Sequence, residues 1–177
     1  MRRSKFILKK LCYILLLFAI AAFVLYSCKV KYSLNGATIP IEAKTVSVSF
    51  FPNKTTLGTP SISQKFTEKL RDVVSTQTNL SLMKQNGDLQ FEGAIMDYNV
   101  APVSIQSNDL AANNRLTITV SVKYMNKFDE TKSFEQSFSR FADFKANTSI
   151  SSQEDALLTE INRQLTEDVF NRAFNNW

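Results

Sequence analysis

Between Arg115 and Met125 the sequence alternates without interruption, with Leu116, Ile118, Val120, Val122 and Tyr124 apolar and Thr117, Thr119, Ser121 and Lys123 polar between them. Successive side chains of a strand point to opposite faces. The segment is therefore a strand with one buried and one wet face, the pattern of an antiparallel sheet covered on one side. Phe134 to Phe144 makes the next strand, with Phe134, Phe138 and Phe144 in phase and Phe141 out of it. The polar stretch Asn126 to Ser133 turns between them as a hairpin.

The remaining segments fit around that hairpin. Thr45 to Phe51 alternates, with Val46, Val48 and Phe50 on one face, until Pro52 ends it. Ser61 with Gln64 reads as a capping box. Behind it Ile62, Phe66, Leu70, Val73 and Val74 fall at helical spacing, so a helix is expected from Ser61 to about Thr76. Leu80 to Met83 is at most a short extended piece, and Asn86-Gly87-Asp88 is a turn. The next strand carries Leu89, Phe91 and Ile95 on odd positions but Tyr98 and Val100 on even ones, a phase change that calls for a bulge or bend near Gly93. Ser151 with Glu154 reads as a second capping box. Leu158, Ile161, Leu165, Val169, Ala173 and Trp177 then carry a helix to the last residue. The expected fold is α+β, in the order β-α-β-β-β-α, with two helices packed on one face of a mainly antiparallel four-stranded sheet.

At the other end, Arg2, Arg3, Lys5, Lys9 and Lys10 precede a run from Leu11 to Ser27 that carries no charge, the layout of a secretory signal. The rival reading is a transmembrane anchor, which needs roughly 20 apolar residues, whereas this run ends in Ser27 and Cys28. Leu25-Tyr26-Ser27-Cys28 resembles the bacterial lipobox, whose cysteine is lipidated and becomes the mature N-terminus; Tyr26 stands where the common pattern has a small residue. The expected organisation is a signal over 1–27, a tether over 28–43 and one domain over 44–177.

Removing the signal takes five of the 21 basic residues and none of the 16 acidic ones, leaving 16 of each. The formal charge of +5 thus belongs to the signal and gives no reason to expect a nucleic-acid partner. Cys12 lies inside the apolar run, so the mature domain has no cysteine pair to cross-link. With no histidine in the chain, Ser-His-Asp, Cys-His and histidine-zinc arrangements are excluded. The four glycines are too scattered for a dinucleotide or phosphate-binding loop. Neighbouring carboxylates such as Glu154 and Asp155, or Glu167 and Asp168, read as solvated helix surface, since adjacent helical residues point apart. No catalytic residue, metal or cofactor is expected.

If the two long strands pair symmetrically about the Asn126 to Ser133 turn, position 115 lies opposite 144 and Lys145 sits beside Arg115. Two cations at one end of the sheet, next to the loop from Pro102 to Asn114, are candidates for an anionic ligand such as a phosphorylated lipid headgroup. The bland alternative is an ordinary solvated sheet end.

Several long strings carry a family resemblance. They are Thr45-Val46-Ser47-Val48-Ser49-Phe50-Phe51-Pro52-Asn53, Asn86-Gly87-Asp88-Leu89-Gln90-Phe91-Glu92-Gly93, Asn114-Arg115-Leu116-Thr117-Ile118-Thr119-Val120, Gln164-Leu165-Thr166-Glu167-Asp168 and the terminal Asn176-Trp177. Together they resemble the Bacteroidetes branch of the LptE family of lipopolysaccharide-assembly lipoproteins. The resemblance implies two helices on a four-stranded sheet. It also implies a lipid-anchored outer-membrane protein that plugs and helps assemble the LptD-type β-barrel translocon and binds lipopolysaccharide, on the periplasmic side or within the barrel lumen. The alternative is an independent periplasmic lipid- or glycan-binding lipoprotein with no barrel partner.

Overall fold

The computed structural model describes residues 39–103 and 113–175. The expected signal, Cys28, most of the expected tether, the centre of the Pro102–Asn114 loop and Trp177 lie outside them. The described elements are β1 (Thr45–Val48), α1 (Ser61–Gln77), β2 (Ser81–Met83), β3 (Leu89–Val103), β4 (Asn113–Asn126), a 3-10 turn (Glu130–Lys132), β5 (Phe134–Lys145) and α2 (Ile150–Phe174).

The fold is α+β with two helices, as expected, but its sheet is five-stranded and mixed, in the order β2-β1-β3-β4-β5. This corrects both the four-stranded count and the β-α-β-β-β-α order. The extra strand is the short piece at Ser81–Met83, whose three residues are all exposed and so carry no burial signal. β1 runs parallel to both its neighbours, β2 and β3. Parallel neighbours need a long crossover, and α1 supplies the one between β1 and β2. β3, β4 and β5 form an antiparallel meander.

Both helices cover one face of the sheet. The even-numbered residues of β4, from Leu116 to Tyr124, are almost fully buried there with Val46, Val48, Leu89, Phe91 and Ile95. Ile62, Phe66, Leu70 and Val74 of α1 and Leu158, Ile161, Leu165 and Val169 of α2 meet them from above. Phe174 closes one end of the core, with its ring 5.9 Å from Phe91 and 6.0 Å from Tyr124. Burying a side chain of this size contributes about 1.5–3 kcal/mol. β1 ends at Val48, sooner than its alternation suggests. Phe50 is therefore exposed, and Phe51 enters the core against Phe66, 5.0 Å away. The Phe51 backbone N–H is satisfied by the Thr67 hydroxyl at 3.1 Å.

The phase change in β3 is a bulge: the register with β4 slips between Ile95 and Asp97, leaving Met96 as the extra residue. Gly93 has a separate role, because a Cβ there would stand 2.0 Å from the Ser121 carbonyl oxygen and 2.6 Å from the Phe51 ring. Gly87 likewise lets the turn cross β1, where a Cβ would lie 2.5 Å from the Ser47 nitrogen. Asn86 takes the positive φ in that turn, at 57°.

Neither capping box forms. α1 starts at Ser61 behind Pro60, and α2 starts at Ile150 behind Ser149, both without a side-chain cap hydrogen bond. Gln64 bonds Glu68 instead, and Glu154 turns toward the sheet. α2 ends at Phe174, and its buried stripe closes on Phe170 and Phe174, with Ala173 partly buried against the same core.

Candidate functional site

With both helices on one side, the opposite face of β3, β4 and β5 has no covering layer among the described residues. Its rows follow from the register. Thr119 lies between Asp97 and Ser139, Ser121 between Ala94 and Ser137, and Lys123 between Glu92 and Glu135. Thr119 donates to the Ser139 hydroxyl at 3.1 Å. A surface of short hydroxyls with mixed charges is flat and wettable, and it offers donors and acceptors of both kinds.

At one end of this face stand the two cations singled out from the sequence. The pairing differs from expectation by one residue: Arg115 faces Asp143, and Lys145 faces Asn113. The physical reason is parity. Cross-strand partners share a face. The core residues of β4 and β5 are even-numbered, so odd must meet odd, and an Arg115–Phe144 pair would have put a core phenylalanine on the wet side. Arg115 and Lys145 therefore do share the open face, as diagonal neighbours, but Arg115 is not free. Its Nε donates to Asp143 Oδ1 at 2.7 Å and its Nη2 to Oδ2 at 3.0 Å. Its guanidinium carbon lies 3.6 Å from the centre of the Phe141 ring. The hydrogen bond from Arg115 holds the Asp143 carboxyl below the usual range, and Asp143 raises the arginine in turn. Phe141 is thus out of phase because it is the platform on which Arg115 rests. Asp143 was invisible in advance because its importance depends on the register.

Other charged pairs serve the fold. Arg140 on β5 makes a bidentate pair with Asp168 of α2, at 2.6 and 2.8 Å. Asp155 pairs with Lys65 of α1. Glu154, expected as solvated helix surface, instead accepts from the Tyr98 hydroxyl at 3.0 Å and from Thr59 at 3.3 Å. Among the described residues no group of three or more histidine, cysteine or carboxylate side chains is placed to hold a metal ion. No helix among them is long and apolar enough to cross a membrane.

Residues 43–173, most of the chain and all of the elements above except the last residue of α2, match the sequence model of LptE, described as lipopolysaccharide-assembly. The chain belongs to the LptE family. Comparison with curated protein sequences finds no match. Similar solved structures include a minor lipoprotein from Acinetobacter baumannii, at 11% identity and TM-score 0.47, covering 75% of this chain and 96% of that one. Protein CT253 from Chlamydia trachomatis aligns at 13% identity and TM-score 0.48, covering 76% and 100%. Lipoprotein B from Nitrosomonas europaea aligns at 12% identity and TM-score 0.45, covering 82% and 87%. At these scores membership of the LptE family rests on the family match and not on the structural likeness.

Proposed function

We propose that this LptE-family chain is a non-enzymatic outer-membrane lipoprotein, anchored by an acylated Cys28, that sits within the lumen of an LptD-type β-barrel as its plug. It helps the barrel assemble and assists lipopolysaccharide on its way to the outer leaflet. One observation carries the reading beyond family membership: among the described residues the sheet is covered on one side only, and its open side is a hydroxyl-rich surface. Large barrel lumens are lined by polar side chains and hold water, so the row through Thr117, Thr119 and Ser121 suits such a wall. Arg115 and Lys145, at one end of this face, are the phosphate contacts in this reading. Lys145 meets the ligand first, and Arg115 joins by exchanging Asp143 for a phosphate.

Affinity isolation of the full chain from solubilised outer membranes, with mass spectrometry of what stays bound, tests the proposal. An LptD-type barrel in near-equal amount supports the plug. A chain that runs alone in every detergent tried sinks it and favours an independent binder. Thr119→Trp should lower barrel recovery with an unchanged melting temperature, and full recovery would move the contact off the open face.

A further inference from the structure

On the far side of the sheet from Arg115, beyond β1, the edge has a step. β2 ends at Met83, while the chain after β1 runs on beside β3, with the Ser49 N–H donating to the Phe91 carbonyl at 2.9 Å. The step opens a cleft of about 510 Å³ lined by Ser49, Phe50, Arg71, Leu82, Met83, Lys84 and Gln85. Three of the exposed large apolar side chains of the domain gather in it: Phe50 at 57%, Leu82 at 44% and Met83 at 45% exposure. Scattered single apolar residues on a surface need no explanation, but a cluster in a concavity does.

The polar lining has one sign. Among the described residues Arg71 and Lys84 are the charged ones of the cleft, and no carboxylate lines it. Among the described residues neither forms an ion pair. Arg71 is half-buried and held in place, its Nε and Nη2 donating to the Val48 carbonyl at 3.2 and 2.8 Å, which leaves Nη1 for another acceptor. Sites for small molecules combine an apolar wall with a few oriented polar groups. A flexible Met adapts to an irregular apolar guest, and a fixed guanidinium suits a phosphate or carboxylate.

We infer that this cleft binds an anionic amphiphile, an alkyl or acyl chain lying on Phe50, Leu82 and Met83 with its phosphate or carboxylate held by Arg71 and Lys84. An added peptide strand fits less well. Continuing β2 alongside Ser49 and Phe50 would need the Val48 carbonyl as an acceptor, and Arg71 already occupies it. The site is separate from the open sheet face and does not depend on a barrel.

The test uses the purified full chain in a non-ionic detergent and a photoreactive decyl phosphate, with mass spectrometry of the labelled residues. Labelling is expected on Phe50, Leu82 and Met83, with competition by unlabelled decyl phosphate or decanoate but not by decanol. Phosphate and carboxylate competitors of equal strength define a general anion site, whereas a wide gap names the headgroup. Arg71→Gln should cut labelling about tenfold, the scale of a lost charged hydrogen bond. Because that change also releases Val48, Lys84→Gln is the second variant, since Lys84 makes no hydrogen bond to any described residue, and a several-fold loss is expected. Equal competition by decanol, labels spread over the whole surface, unchanged labelling in both variants, or stronger displacement by a short acidic peptide would each overturn the inference. All of these readouts are independent of barrel recovery.

Discussion

The hydroxyl of Tyr98, past the bulge in β3, donates to Glu154 Oε1 in the first turns of α2 at 3.0 Å, and Thr59 of the loop before α1 donates to the same oxygen at 3.3 Å. One carboxylate oxygen thus joins the sheet to both helical arms.

Removing the hydroxyl with Tyr98→Phe should cost about 1 kcal/mol, the usual net worth of such a bond, and lower the melting temperature by roughly 3 °C. Burial first, and the Glu154 bond second, push the Tyr98 phenol well above its ordinary value. A raised folded value means stability that is complete below the unfolded value near 10 and is lost as pH rises toward the folded one. Thermal melts between pH 9 and 11 should therefore fall more steeply for the parent chain than for Tyr98→Phe. Parallel slopes would show that the phenol is not held this way.

Asp88 makes the opposite prediction. Its Oδ2 accepts from the Thr45 hydroxyl at 2.8 Å and from the Lys44 and Thr45 backbone nitrogens at 3.1 Å each. The Thr45 hydroxyl bond is the main cause that lowers this carboxyl below its usual range. A lowered folded value gives stability that is present above the unfolded value, near 4, and is lost as pH falls through the folded one. Asp88→Asn should melt lower at pH 7 yet lose less on acidification to pH 3. An unchanged melting temperature at pH 7 would remove Asp88 as a clamp on β1.

At the sheet end, Asp143 competes with any anion for Arg115. Asp143→Asn should tighten lipopolysaccharide binding by the isolated chain several-fold, while charge reversal of Arg115 and Lys145 together should weaken it by tenfold or more. Surface plasmon resonance on immobilised lipopolysaccharide reads both. Binding indifferent to all three changes would leave this sheet end as ordinary solvated surface.

Much of this was legible in the residues because burial leaves a period. β4 announces its covered face in five alternate apolar positions, and the odd-to-even switch between Ile95 and Tyr98 locates the bulge to within three residues of Met96. What the period cannot carry is direction and register. β1 looks the same whether its neighbours run parallel or antiparallel, and Ser81–Met83, exposed throughout, has no period at all. Parity does fix the register at Arg115, since Phe134, Phe138 and Phe144 all fall on even numbers and odd must then meet odd. The two capping boxes fail for a different reason: the pattern states what a helix start can bond, and each partner is taken elsewhere, Gln64 by Glu68 one turn on and Glu154 by Tyr98, distant in sequence.

The placement of β1 has a mechanical meaning. The described chain enters the fold at Ile39 and reaches β1 within six residues, and β1 lies between two parallel partners. A pull transmitted along the axis of β1 would load its hydrogen bonds to β2 and β3 together in shear and would not open them one at a time from an end. Asp88, bonded across the start of β1, adds a bolt at the point where the load arrives. In the proposed lipid-anchored arrangement, tension would enter the domain at this clamped strand.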